Sequence, residues 1–116
     1  PAIAQEKFEF YARGPYRENV PRPSAITGYE PGQFQTPHGQ IVRVAEKIAE
    51  AASDRVRLIE NGQTWEYRKL YLAIVSAPEN LARLDEIKAN IAKLADPRKT
   101  TEAEANQIAA STPIMK

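Results

Sequence analysis

The 116-residue sequence has no cysteine and a single histidine, His38. Without cysteine there is no disulfide framework and no cysteine-ligated zinc site, although the compartment is not fixed by that absence. A catalytic zinc takes three protein ligands, usually including histidine or cysteine, so one histidine leaves little beyond carboxylates. No apolar run approaches the roughly 20 residues of a membrane-spanning helix, and no signal peptide is visible. The chain opens on Pro1 instead of methionine, which fits a processed or trimmed start. An excess of one charge is also lacking. Sixteen basic and fifteen acidic residues leave a net charge of +1, so neither nucleic acid nor an anionic membrane is expected as a partner.

What is present suits one small globular domain, with 42% hydrophobic and 27% charged residues in 13.0 kDa. Its organising stretch is Arg55–Ser76, two strand-like runs that flank Asn61-Gly62. Asn-Gly suits a two-residue type I′ turn, because both central residues need positive φ. The first run alternates, with Val56 and Leu58 on one face and Arg55, Arg57 and Ile59 on the other. The second run is apolar or aromatic throughout from Leu70 to Val75. Neither of its faces suits water, which predicts a strand inside a sheet covered by helices on both sides.

Residues 1–35 hold five of the nine prolines and three of the five glycines, interspersed with aromatics such as Phe8, Tyr16 and Phe34. This composition predicts an irregular arm wrapped over the domain, in preference to a proline-rich docking peptide. Residues 36–116 form the second region. A helix is expected from Thr36 as N-cap and Pro37 at the first helical position, with Ile41, Val44, Ala45, Ile48 and Ala52 as its apolar stripe. A second runs from about Pro78 to Ala95 on Leu81, Leu84, Ile87, Ile91 and Leu94. A third starts at Thr101, where Thr101 and Glu104 make a capping box, and stops at Thr112-Pro113. Ile114–Lys116 reads as the opening of a strand, leaving the crossover unfinished.

Chemistry is sparse. His38 lies in the first turn of the expected helix with no evident partner and reads as an exposed helix-start residue. Neither His-Glu-x-x-His nor a phosphate-binding glycine loop occurs, and Ser24, Ser53, Ser76 and Ser111 lack a nucleophile-elbow setting. The carboxylate pairs Asp85-Glu86 and Glu102/Glu104 read as solvated helix surface. Glu66 and Arg68, two apart in a strand, share a face, and a salt bridge or a hydrogen-bonded pair is expected of them. Trp65 and Tyr67 fall on the opposite face, and packing under the arm is expected of them, with a binding platform as the alternative.

Four groups of residues carry a family resemblance: Gly28-Tyr29-Glu30-Pro31-Gly32, Ala52-Ser53-Asp54-Arg55-Val56, Gly62-x-Thr64-Trp65-Glu66-x-Arg68, and Ile74-Val75-Ser76 with Pro78-Glu79-Asn80-Leu81. In this order and spacing the chain resembles the start of a bacterial zinc carboxypeptidase of the carboxypeptidase A type. The likeness runs from about Gly28 to Lys116 and includes Ala95-Asp96-Pro97-Arg98 and Pro113-Ile114. Tyr67 departs from the glycine often found between the matching Glu and Arg. The resemblance implies an α/β fold, namely an α/β/α sandwich around a mixed eight-stranded sheet. This chain would supply its N-terminal portion, the first β-hairpin plus flanking helices.

In that family a His-x-x-Glu motif, a later histidine and a catalytic glutamate hold zinc and perform hydrolysis of C-terminal residues from peptides. Zinc polarises the scissile carbonyl and activates water while the glutamate acts as general base. No residue of this chain matches those positions. The resemblance therefore implies zinc and a peptide substrate for a secreted or periplasmic parent, with no catalytic, cofactor-binding or metal-binding residue assigned here. The expectation is a fragment inactive by itself and prone to self-association through exposed sheet edges. The alternative from another class is a self-contained, non-enzymatic protein- or peptide-binding module.

Overall fold

The computed structural model describes residues 14–113. Five helices and one antiparallel strand pair follow in the order α1 (Pro23–Thr27), α2 (His38–Ala51), β1 (Val56–Gln63), β2 (Lys69–Val75), α3 (Pro78–Ala82), α4 (Leu84–Leu94) and α5 (Glu102–Ser111). The chain is thus mixed α and β among the described residues, with a two-stranded sheet of order β1-β2. The expected strand opening at Ile114–Lys116 lies outside them, as do Phe8, Phe10 and Tyr11 of the arm.

The arm is not wholly irregular. Pro23 starts α1, where its missing donor costs nothing, and Gly28 ends it in the left-handed region at φ +84°. α1 packs on α2. Tyr29 joins the two segments, its hydroxyl lying 2.6 Å from Gln40 Oε1 and 3.2 Å from Thr36 Oγ1. That bond engages the Thr36 hydroxyl, and the N-cap of α2 falls one residue later than expected, on Pro37. Val44, Ala45 and Ile48 are half-buried and Ala52 buried along the apolar stripe, while Ile41 stays exposed.

The hairpin forms, but its turn lies beyond Asn61-Gly62. β1 continues to Gln63, which pairs with Lys69, and Asn61-Gly62 become a bulge opposite Leu70, with Gly62 at φ +121°. The chain reverses at 64–68: the Tyr67 amide donates to the Thr64 carbonyl at 3.0 Å and the Thr64 amide to the Arg68 carbonyl at 2.9 Å. The reason lies in the register. A two-residue turn at Asn61-Gly62 would pair Glu60 with Gln63 and set Val56 opposite Tyr67, leaving the apolar run beyond the end of β1. The observed register sets Val56 opposite Val75, Leu58 opposite Ala73 and Ile59 opposite Leu72. Apolar cross-strand contact overrides the local turn preference.

The helix expected over Pro78–Ala95 is two helices, broken at Arg83 (φ −116°, ψ 30°). The break lets Leu81 of α3 and Leu84 and Ile87 of α4 all be buried, and the Arg83 guanidinium donates to Glu86 and to the Ser111 carbonyl at 3.1 Å. α5 starts with the expected capping box, both halves of which are formed. α4 and α5 pack together, further tied by Asn90 to Thr112 and Thr100 to the Lys93 carbonyl.

Among the described residues only Ala52, Leu81, Leu84 and Ile87 are buried apolar side chains. The radius of gyration is 19.2 Å, against about 13 Å for a compact domain of about 100 residues. α2 lies against β1, yet β2 is not covered on both faces as its composition predicts. Leu70, Leu72 and Val75 remain 44%, 50% and 59% exposed.

Two stability outcomes follow from this packing. Ile87→Ala should lower unfolding free energy by about 2–5 kcal/mol, whereas Trp65→Ala, at a fully exposed position, should change it by less than about 0.5 kcal/mol. Urea unfolding compares the two. Tyr67 is the one described non-glycine residue with positive φ, at +60°, so Tyr67→Gly should raise stability by about 1 kcal/mol, read as a higher urea midpoint at unchanged slope.

Candidate functional site

The hairpin reversal is where the sequence concentrates exposed aromatic and charged side chains. Thr64 organises it from both sides: its carbonyl accepts from Tyr67, and its hydroxyl accepts from the Arg68 amide at 3.2 Å. Closing the loop this way drives Tyr67 into the left-handed region and aims Trp65 and Tyr67 outward, 100% and 82% exposed. Neither packs under the described part of the arm, contrary to expectation. The arm instead reaches the opposite end of the hairpin. The Glu66–Arg68 ion pair does form, at 2.7 Å, although its residues lie in the reversal and not in a strand. Behind it Lys69 Nζ bonds Glu60 at 2.9 Å across the strands, which raises the Lys69 pKa above its ordinary value. An aromatic pair beside compensated charges can bind by stacking and apolar contact. It contains no free acid and base.

The other residues singled out by sequence are dispersed. His38 is the exposed first residue of α2, and no hydrogen bond among the described residues joins it to a carboxylate or a serine. Asp85 and Glu86 sit in the first turn of α4, where negative charge complements the helix dipole, and Glu86 pairs with Arg83. Glu104 is held below the usual carboxylate range by hydrogen bonds from the Thr101 backbone and hydroxyl. Ser76 accepts from Asn80, and Ser111 donates to the Gln107 carbonyl. Among the described residues no three of His, Asp and Glu converge as a metal-holding group.

A contact that sequence reasoning missed fastens the arm. Arg17 donates from both terminal nitrogens to the two Asp54 oxygens, at 2.9 Å each, and Asn19 donates to the Ala51 carbonyl at 3.0 Å. This clamp meets the junction between α2 and β1. Arg17 and Asp54 are 37 residues apart, and no local pattern connects them. The two parallel bonds from Arg17 hold the Asp54 carboxyl below the usual carboxylate range and the Arg17 pKa above its own.

Because Asp54 is depressed on folding, its contribution is present above the unfolded value of about 3.9 and is lost as pH falls through the lower folded value. Arg17 stays charged throughout. The Asn19 amide resonances should therefore report release of the arm only below about pH 4, and Asp54→Asn should weaken the attachment at neutral pH and remove that acid step. An acid step unchanged in Asp54→Asn would contradict this assignment.

No protein-family model, no curated protein and no solved structure matches this chain.

Proposed function

We propose that this chain is scaffold from a zinc-dependent carboxypeptidase of the carboxypeptidase A type, the first hairpin and flanking helices of an α/β/α sandwich around a mixed eight-stranded sheet. The observation that carries the reading is β2, whose six consecutive apolar or aromatic residues Leu70–Val75 lie in a sheet with no third strand among the described residues and with incomplete cover. Such a strand belongs in the interior of a larger sheet. The backbone at Tyr67 adds support. Its φ of +60° is the conformation that glycine adopts without strain, and glycine is what the resembled family often has there.

The residues described here do not suit a zinc ion, since no three candidate ligands converge among them. Zinc, its ligands and the catalytic glutamate are assigned to further sequence of a parent protein that would act on peptide substrates outside the cytoplasm, and the part in hand supplies shape.

A second reading has its own observation. Trp65, wholly exposed beside Tyr67, suits a non-enzymatic module that binds a protein or peptide by the hairpin tip. The peptidase reading predicts that a longer parent containing this sequence binds zinc and releases C-terminal amino acids in a chelator-sensitive assay, while the 116-residue chain releases none. A zinc-free parent with no such activity would overturn the reading. Chelator-sensitive hydrolysis by the 116-residue chain itself would overturn the assignment of the ligands elsewhere.

A further inference from the structure

The backbone groups of β2 divide into two sets. The Ser76 amide donates to the Arg55 carbonyl at 3.0 Å, which makes those two residues a hydrogen-bonded pair. Alternation along an antiparallel ladder then makes Arg57–Ile74 and Ile59–Leu72 hydrogen-bonded pairs, and Val56–Val75, Leu58–Ala73 and Glu60–Tyr71 non-hydrogen-bonded ones. The amides and carbonyls of Tyr71, Ala73 and Val75 consequently point away from β1. No other strand among the described residues occupies that edge.

The two edges of the sheet differ in protection. The β1 edge carries Arg55, Arg57 and Glu60 and is distorted by the bulge at Asn61-Gly62, all features that discourage pairing with another strand. The β2 edge from Leu70 to Val75 has no charge, proline or bulge. α2 lies against β1.

We infer that the β2 edge is a self-association surface whose occupant is a second copy of this chain, paired β2 to β2 and antiparallel about a two-fold axis at Ala73. The strand is complementary to itself in this register. Ala73 meets Ala73 of the second copy, and Tyr71 meets Val75 of the second copy, so every outward amide and carbonyl of these three residues finds a partner. Tyr71 with Val75 is an aromatic and β-branched cross-strand pair, a favourable combination. Leu72 falls opposite Ile74 on the other face. Lys69 falls opposite Ala77, so no like charges meet. A two-fold centred on Tyr71 would instead leave Val75 opposite Tyr67 in the reversal, outside the strand. The interface is isologous and closes at two copies, because the remaining β1 edges are the guarded ones. The inference concerns the 116-residue chain and stands on its strand edge, so it can fail or hold independently of the zinc reading.

Sedimentation velocity over a concentration series, with far-UV circular dichroism, tests it. The expected result is a species of twice the 13.0 kDa chain mass that dissociates on dilution. Ala73→Pro removes an amide that faces away from β1, and Ala73→Lys sets two ammonium groups against each other at the axis. Both should lose the doubled mass while keeping the wild-type spectrum. Ala73→Cys covers the case in which those variants unfold: it should form a disulfide-linked dimer under mild oxidation, whereas Ser53→Cys, exposed in the loop before β1, should not. A wild-type chain that stays monomeric at every concentration would overturn the inference. So would open-ended oligomers, or equal cross-linking of the two cysteine variants.

Discussion

The antiparallel pairing of β1 with the apolar and aromatic run Leu70–Val75 of β2 is the constraint on which the other features depend. A strand with apolar side chains on both faces gains nothing from facing water, so the register is chosen to put as many of them as β1 allows opposite one another. Val56, Leu58 and Ile59 take Val75, Ala73 and Leu72 as partners. That choice displaces Asn61-Gly62 into a bulge and moves the reversal to 64–68. The same choice holds Tyr67 in a left-handed conformation, with Trp65 exposed at the tip. One energetic preference thus fixes the turn, the strained residue and the aromatic display.

Packing elsewhere is distributed over small centres. α2 covers the β1 side of the sheet and ends in buried Ala52. Leu81, Leu84 and Ile87 form the other buried group, which the break at Arg83 makes possible. The arm is fastened by polar contacts, the paired bonds of Arg17 to Asp54 and of Asn19 to Ala51. Exposed ion pairs stabilise weakly, by about 0–1 kcal/mol, and their value here is positional. They set the path by which the arm leaves the junction of α2 and β1. With so little apolar surface removed from water, the sheet face and edge at Leu70–Val75 remain an unmet demand among the described residues.

Much of the secondary structure was legible because it is written in local periodicity. The stripes of α2 and α4 and the capping box at Thr101 could be read directly, and so could the apolar character of β2. What was not legible depended on distant partners. The turn position needed the cross-strand register, which compares residues up to 19 positions apart in sequence. The break at Arg83 depends on burying three leucine and isoleucine side chains together while Arg83 reaches Ser111. The short helix α1, in a segment whose prolines suggested irregularity, follows from Pro23 standing where a helix begins and Gly28 where it ends. The candidate site was legible only as composition. Sequence placed Trp65 and Tyr67 on one strand face beneath the arm, whereas the displaced turn carries both to an exposed tip.

Hydrogen exchange along β2 in dilute solution bears most directly on the claim that this strand is built to be covered and is open on one edge in this chain. The account predicts slow exchange at the Leu72 and Ile74 amides, which bond to β1, and fast exchange at the Tyr71, Ala73 and Val75 amides, which face the free edge. Equal protection of both sets in the dilute monomer would contradict it, because some part of the same chain would then already be paired with β2.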